Sequence, residues 1–204
     1  MEIKRYIFIV IVCLIILPQG NALGINEYGF ELDEYLIYST VVDEWYSNEQ
    51  NKEILIRDHT SVYQLGRPIE TELDYVRQQM PVLEDEIIND FKAKNVRTYS
   101  LESFINQRVD YIIISQKEID YIFDHNPHWD SYYDRYPSSG GILTLSRVGF
   151  NRQRTRAILH VANQWNRSTG AGIYLSVVKQ KDGSWKIENQ QRTWHSWNRD
   201  KINP

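Results

Sequence analysis

The chain is 204 residues long, 42% hydrophobic and 25% charged, with a formal net charge of −4. Those proportions belong to an ordinary folded globular protein and exclude collagen-like and disordered chains. A lone cysteine excludes a disulfide-built miniprotein or a four-cysteine zinc module, and a single long apolar run excludes a polytopic membrane protein.

Lys4 and Arg5 precede twelve consecutive apolar residues, Tyr6 to Leu17, which give way to Pro18, Gly20 and Ala22. A basic start, a short apolar stretch and small residues together predict a signal peptide over residues 1–22. Twelve helical residues reach about 18 Å, short of the ~30 Å hydrocarbon core. An uncleaved anchor is therefore the alternative, and no stable membrane span is expected after processing. Cys13 sits inside the run rather than at its end, which disfavours a lipoprotein cleavage box. Cleavage would remove Glu2, Lys4 and Arg5 together with the cysteine, moving the net charge from −4 to −5. The product is expected to be exported, periplasmic or extracellular, and to fold by burial without a disulfide. With no internal repeat and no Gly/Ser or Pro-rich linker, residues 23–204 are expected to form a single α+β domain. Its acidic balance predicts no nucleic acid partner, because such binding depends on neutralising phosphates.

In chain order, Tyr35, Tyr38, Val42 and Trp45 step by three or four from Leu32 and predict a helix. Ile54-Leu55-Ile56 predicts a short strand that enters a turn at Asp58-His59-Thr60. Ile69, Leu73, Val76 and Met80 resume helical spacing, and Pro81 is expected to open a second helix that runs through Phe91. Tyr111 to Ile114 is a compact β-prone run. Ser115 with Glu118 forms an S-x-x-E capping box ahead of Ile119, Ile122 and Phe123, which predicts a helix start. Trp129, Tyr132, Tyr133 and Tyr136 then share one helical face, ended by Pro137 and Gly140-Gly141. From Ile142 onward alternation replaces the helical period, through Phe150, Arg156 to Val161, Ile173 to Val178 and Trp185 to Ile187. A two-residue hairpin turn is expected at Asp182-Gly183 and another hairpin at Asn151-Arg152-Gln153. The fold class is thus α+β: N-terminal helices with one or two short strands, then a C-terminal antiparallel meander of four to five strands.

The residues Tyr136-Pro137, Gly140-Gly141, Leu145-Ser146-Arg147-Val148-Gly149-Phe150-Asn151, Ala157, Gly170, Gly172, Tyr174-Leu175, Lys179, Gly183, Trp185, Ile187, Trp194 and Ser196 form a pattern, with Ile56, Asp58, Thr60 and Phe104 upstream. That pattern resembles a family of functionally uncharacterised exported bacterial proteins. The resemblance spans roughly residues 54–196 and consists of turn glycines and packing residues, so it implies a fold and carries no activity with it. Members of that family often place cysteines in the loop just before the position of Gly172, whereas residues 165–171 here contain none.

Among motifs that carry chemistry, Asp124, His125, His128 and Asp130 are the densest set of potential metal ligands. Their spacing matches no ligand signature and straddles Pro127, so a polar helix junction capped by Asn126 is expected and no metal or other cofactor. No G-x-S-x-G elbow is present, and Ser138 and Ser139 read as loop residues. His59 follows Asp58 at a strand end, where catalytic bases are often mounted. Adjacent residues on an extended chain point to opposite sides, so Asp58 is not expected to orient His59, and Asp58 and Thr60 are expected to shape the turn. Glu84-Asp85-Glu86 and Asp43-Glu44 read as solvated helix faces. The sequon Asn166-Arg167-Ser168 is read as chance.

Arg147, Arg152, Arg154 and Arg156 crowd one expected hairpin, the single basic patch of an acidic chain, and forked guanidinium groups suit carboxylate or phosphate. Cross-strand pairing with acidic neighbours is the competing expectation. Six Trp, fourteen Tyr and six Phe give 13% aromatic residues, compatible with a sugar- or peptide-binding surface at Trp129 and its stripe or at Trp194 and Trp197. Inward packing of Tyr132, Tyr136 and Trp185 is the competing expectation. Trp129, Arg147, Arg156 and His160 are the candidate binding residues. The chain is expected to be an exported, non-catalytic binding or interaction domain for an envelope glycan or protein partner. The alternative is a hydrolase of an envelope polymer that uses His59, His128 or His160 with a nearby carboxylate.

Overall fold

The computed structural model describes residues 30–46, 53–62, 69–101, 110–125 and 128–196. The expected signal peptide, Asn126-Pro127, Phe104 and Trp197 lie outside the described residues. In chain order the elements are α1 (Leu32–Tyr46), β1 (Glu53–Arg57), α2 (Ile69–Gln79), α3 (Asp85–Lys94), β2 (Tyr111–Ile114), α4 (Gln116–His125), α5 (Trp129–Arg135), β3 (Ser139–Leu145), β4 (Gly149–Phe150), β5 (Arg156–Asn166), β6 (Thr169–Lys179) and β7 (Trp185–Ser196). None of the described helices is long and apolar enough to cross a membrane.

The strands form one seven-stranded sheet in the order β2-β1-β3-β5-β6-β7, with β4 paired to β5. The α+β class is what the sequence predicts, but the sheet is mixed rather than an antiparallel meander throughout. β1 pairs in parallel with both β2 and β3, and only the pairings from β3 onward are antiparallel. The helices are not all N-terminal to the sheet, since α4 and α5 connect β2 to β3. The reason is connection length. The short loops that force antiparallel pairing exist only in the C-terminal part, whereas β1 and β2 are each followed by helical segments long enough for a crossover.

Both faces of the sheet are covered. On one, Ile54 and Ile56 of β1, Leu143 and Leu145 of β3, Ala157, Leu159 and Val161 of β5, and Leu175 and Val177 of β6 meet Ile37, Tyr38, Val41 and Val42 of α1. Residues one position along each strand point the other way. There Leu55, Ile114 and Ile142 bury Ile119 and Ile122 of α4 and Tyr132 of α5. Ile158 and Tyr174 bury Leu73 and Val76 of α2 and Ile87, Ile88 and Phe91 of α3.

Local differences have local causes. The helix expected from Pro81 begins at Asp85, because Pro81-Val82 form a turn in which the Leu83 N–H donates to the Met80 carbonyl at 3.0 Å. The Asp182-Gly183 turn is a three-residue loop: the Gln180 N–H donates to the Ser184 carbonyl at 2.7 Å, and Gly183 alone has positive φ, +86°. That is the geometry of a type I turn followed by a left-handed residue. The segment before Gly172 is not a loop, since β5 and β6 stay paired down to Asn166 and Thr169.

Residues 146–148 mark a break between β3 and β4, held by hydrogen bonds from α1, α3 and β5. The Ser146 hydroxyl accepts from the His160 N–H at 2.8 Å, while the Ser146 carbonyl accepts from the Tyr38 hydroxyl at 2.8 Å. Asn95, at the end of α3, exchanges two hydrogen bonds with the backbone of Arg147 at 2.9 and 3.1 Å. Asn151 Oδ1 accepts from the N–H groups of Thr155 and Arg156, closing the β4–β5 turn.

Candidate functional site

The carboxyl ends of the parallel strands β1 and β2 open into a cavity of about 380 Å³, lined by Arg57, His59, Thr60, Ser61, Val62, Thr98, Gln116 and Thr144. The chain leaves β1 toward β2 on one side and returns past β1 to β3 on the other, so the strand ends diverge here. In open sheets with parallel strands, ligands bind at such a point.

β1 ends at Arg57, and the backbone bends at Asp58. The Asp58 N–H donates to the Ile114 carbonyl at 3.0 Å and its carbonyl accepts from the Leu101 N–H at 2.7 Å. The Thr60 N–H donates to the Tyr99 carbonyl at 2.9 Å, and the Thr60 hydroxyl accepts the Tyr99 N–H at 3.0 Å. This segment is held by long-range bonds rather than by a local turn.

His59 Nδ1 lies 2.5 Å from Asp58 Oδ1. The expectation that Asp58 cannot orient His59 is therefore corrected. Side-chain alternation applies to an extended strand, and the bend at Asp58 brings the two neighbours together. The same Asp58 oxygen accepts the Gln116 N–H at 3.1 Å, one of the otherwise unpaired donors at the start of α4. Beside it the Ser115 hydroxyl accepts the Glu118 N–H at 3.1 Å, which is half of the expected capping box. The other half is diverted, because Glu118 Oε1 takes the Tyr136 hydroxyl at 2.6 Å and Arg135 at 2.7 Å. With a carboxylate on Nδ1, the neutral imidazole carries its proton there and leaves Nε2 as the acceptor. His59 keeps 40% of its side chain exposed at the cavity wall.

Arg57 donates from Nη1 to Gln116 Oε1 at 2.5 Å, and Gln116 Nε2 donates to Asp120 Oδ1 at 2.7 Å. Burial pushes the Arg57 guanidinium below its ordinary value, and the charges of Asp58 and Asp120 only partly offset that.

The sequence-nominated residues are not brought together. Arg147 is 4% exposed, in the break between β3 and β4 rather than on a hairpin surface. Its Nε and Nη2 donate to the two oxygens of Glu34 at 2.8 Å each, and its Cζ lies 4.3 Å from the centroid of the Phe30 ring and 4.5 Å from that of the Tyr99 ring. Arg154 pairs with Glu31, and Arg156 with Glu188 at 3.2 Å. The basic cluster is thus divided among separate acidic partners. His160 is buried against Tyr174, ring centroids 4.8 Å apart, and burial lowers it from 6.5 to about 4. Trp129 is half-buried in the α4–α5 aromatic cluster, 5.1 Å from Phe123 and 5.0 Å from Tyr132. Tyr132 and Trp185 are buried, and the Tyr133 hydroxyl donates to the Trp165 carbonyl at 2.7 Å. His128 is exposed at the start of α5. No group of three potential metal ligands occurs among the described residues.

Sequence reasoning named His59 and Asp58 but passed over Arg57, Gln116, Thr98 and Thr144. The available signal was the pair of strand-to-helix junctions. The β-prone run Tyr111–Ile114 leads straight into the Ser115 capping box, which marks where a strand gives way to a helix and so where Gln116 sits.

Compared with protein-family models, curated proteins and solved structures, this chain matches none.

Proposed function

We propose that the crevice at the ends of β1 and β2 is the active site of a hydrolase acting on an envelope polymer, with His59 as general base and acid and Asp58 as its positioning residue. One observation carries the reading: the 2.5 Å bond from Asp58 to His59 Nδ1, at the wall of a cavity of about 380 Å³. A carboxylate on Nδ1 holds the ring in the tautomer whose Nε2 takes a proton. In the proposed reaction Nε2 takes a proton from water as the water oxygen bonds to the electrophilic atom of the scissile bond. That bond then breaks, and the proton passes from His59 to the leaving group, so one water is consumed and the ring returns to its starting state. The position of the crevice at the carboxyl ends of parallel strands supports the reading. The basic and apolar start of the chain supports an exported protein that meets envelope polymers outside the cytosol.

The test is product release from isolated envelope glycan and peptide fragments, read by mass spectrometry. His59→Gln is expected to lower turnover roughly 10²- to 10⁴-fold. Asp58→Asn is expected to lower it less, because the ring is then held by a weaker partner at Nδ1. Equal turnover by His59→Gln, or no product from any fraction with folded wild type, would sink the proposal. A second reading, binding without catalysis, is favoured by a cavity of about 440 Å³ lined by Thr71, Glu72, Tyr75 and Thr193 between α2 and β7. Its ring and carboxylate suit a glycan, and it predicts saturable binding of envelope glycans, read by calorimetric titration, that His59→Gln leaves unchanged.

A further inference from the structure

We propose that the crevice selects a substrate carrying an oxyanion, a carboxylate or phosphate group beside the bond that His59 attacks, and that Arg57 is the residue that reads it. This rests on the reading of the crevice as a binding site and adds to it a class of substrate.

Arg57 and His59 line the same cavity. The Arg57 guanidinium is held from one side only, by the Nη1 bond to Gln116 Oε1 at 2.5 Å, with Gln116 itself fixed by Asp120. Arg57 Nε is buried and has no hydrogen-bond partner among the described residues. A buried N–H without an acceptor is costly, and a charged one more so.

Arg147 shows within the same molecule what the missing partner looks like. There Nε and Nη2 grip both oxygens of Glu34 in a parallel fork at 2.8 Å. Arg57 leaves the Nε edge of its own fork without a partner and shielded from solvent, and the residue itself lines a cavity whose other lining groups include the hydroxyl side chains of Ser61 and Thr98. Carboxylate and phosphate groups match that edge with two acceptors, whereas a sugar hydroxyl supplies one. A cation is excluded by the guanidinium itself. The carboxylates of Asp58 and Asp120 act on the Arg57 charge through space, but neither bonds the Nε edge.

The experiment follows the His59 ring resonances by NMR, assigned with His59→Gln, during titration at constant ionic strength with inorganic phosphate, acetate and glycerol. Phosphate or acetate is expected to move them saturably and glycerol not at all; whichever anion saturates at lower concentration identifies the oxyanion. Arg57→Gln is expected to abolish the response. Arg57→Lys keeps the charge but cannot present two parallel N–H groups, and is expected to bind at least tenfold more weakly. Should Arg57→Gln fail to fold, the lysine variant carries the test alone. No saturable shift with either anion, or equal affinity in Arg57→Lys, overturns the proposal. Because binding is read without turnover, a protein that binds the anion yet releases no product would refute the hydrolase and leave the anion site standing.

Discussion

Glu34 and Arg147 sit in the interior as a charged pair, 0% and 4% exposed, and His160 is buried there as well. For Arg147, burial alone works against the charge, but the hydrogen bonds and charge of Glu34 overcome it and hold the guanidinium above its ordinary value. Removing one member strands the other. Arg147→Met is expected to cost about 3–5 kcal/mol in urea denaturation, and the double variant Glu34→Leu/Arg147→Met distinctly less. A double variant as unstable as the single one would show that packing, not charge, dominates. His160 behaves oppositely. Its folded value of about 4 lies below the 6.5 of the unfolded chain. Between those values the unfolded chain binds a proton that the folded one refuses, so stability falls as pH drops through that window. The full contribution, roughly 3 kcal/mol, is present above about pH 6.5. His160→Phe is expected to flatten the stability curve between pH 6.5 and 4 relative to wild type; parallel curves would contradict this.

At the scale of elements, α3 lies directly against β4. A Cβ built on Gly149 would stand 2.5 Å from Phe91 Cβ and from the Phe91 backbone nitrogen. Backbone cannot yield as a flexible side chain does. Gly149→Ala is therefore expected to destabilise by about 1–3 kcal/mol, seen as a lowered Tm, with a larger loss for Gly149→Val. An unchanged Tm would mean that α3 shifts freely. Most elements were legible because their periods are local. The 3.6-residue spacing of Leu32–Trp45 and the alternation from Arg156 follow from which face is buried, and Ser115 caps α4 as its spacing predicts. The direction of β1 and β2 was not legible, since a run of three or four apolar residues reads the same in either direction. His59 was visible as a residue but not as half of a pair, because the bend that turns it toward Asp58 comes from bonds to Ile114 and Leu101, far along the chain.

Over the whole molecule, the sheet is unequal across its width. β5 and β6 share ten aligned residue pairs at its centre, whereas β2 is a four-residue edge strand beside the crevice. Hydrogen exchange followed by mass spectrometry is expected to show the slowest amides at Leu159–Val161 and Tyr174–Val177, and markedly faster exchange at Tyr111–Ile114. Equal protection at both places would mean that the crevice wall opens only with global unfolding. The division between sequence and tertiary structure has the same origin. Residue spacing alone determined most element types, the α+β class and the turn at Asp182-Gly183, because each depends on neighbours within a few positions. Tertiary structure alone decided that Arg147 and His160 belong to the interior and that Arg57, Asp58, His59 and Gln116 form one wall. Those outcomes depend on which strand ends lie side by side, and parallel pairing between distant segments leaves no periodic trace in the chain.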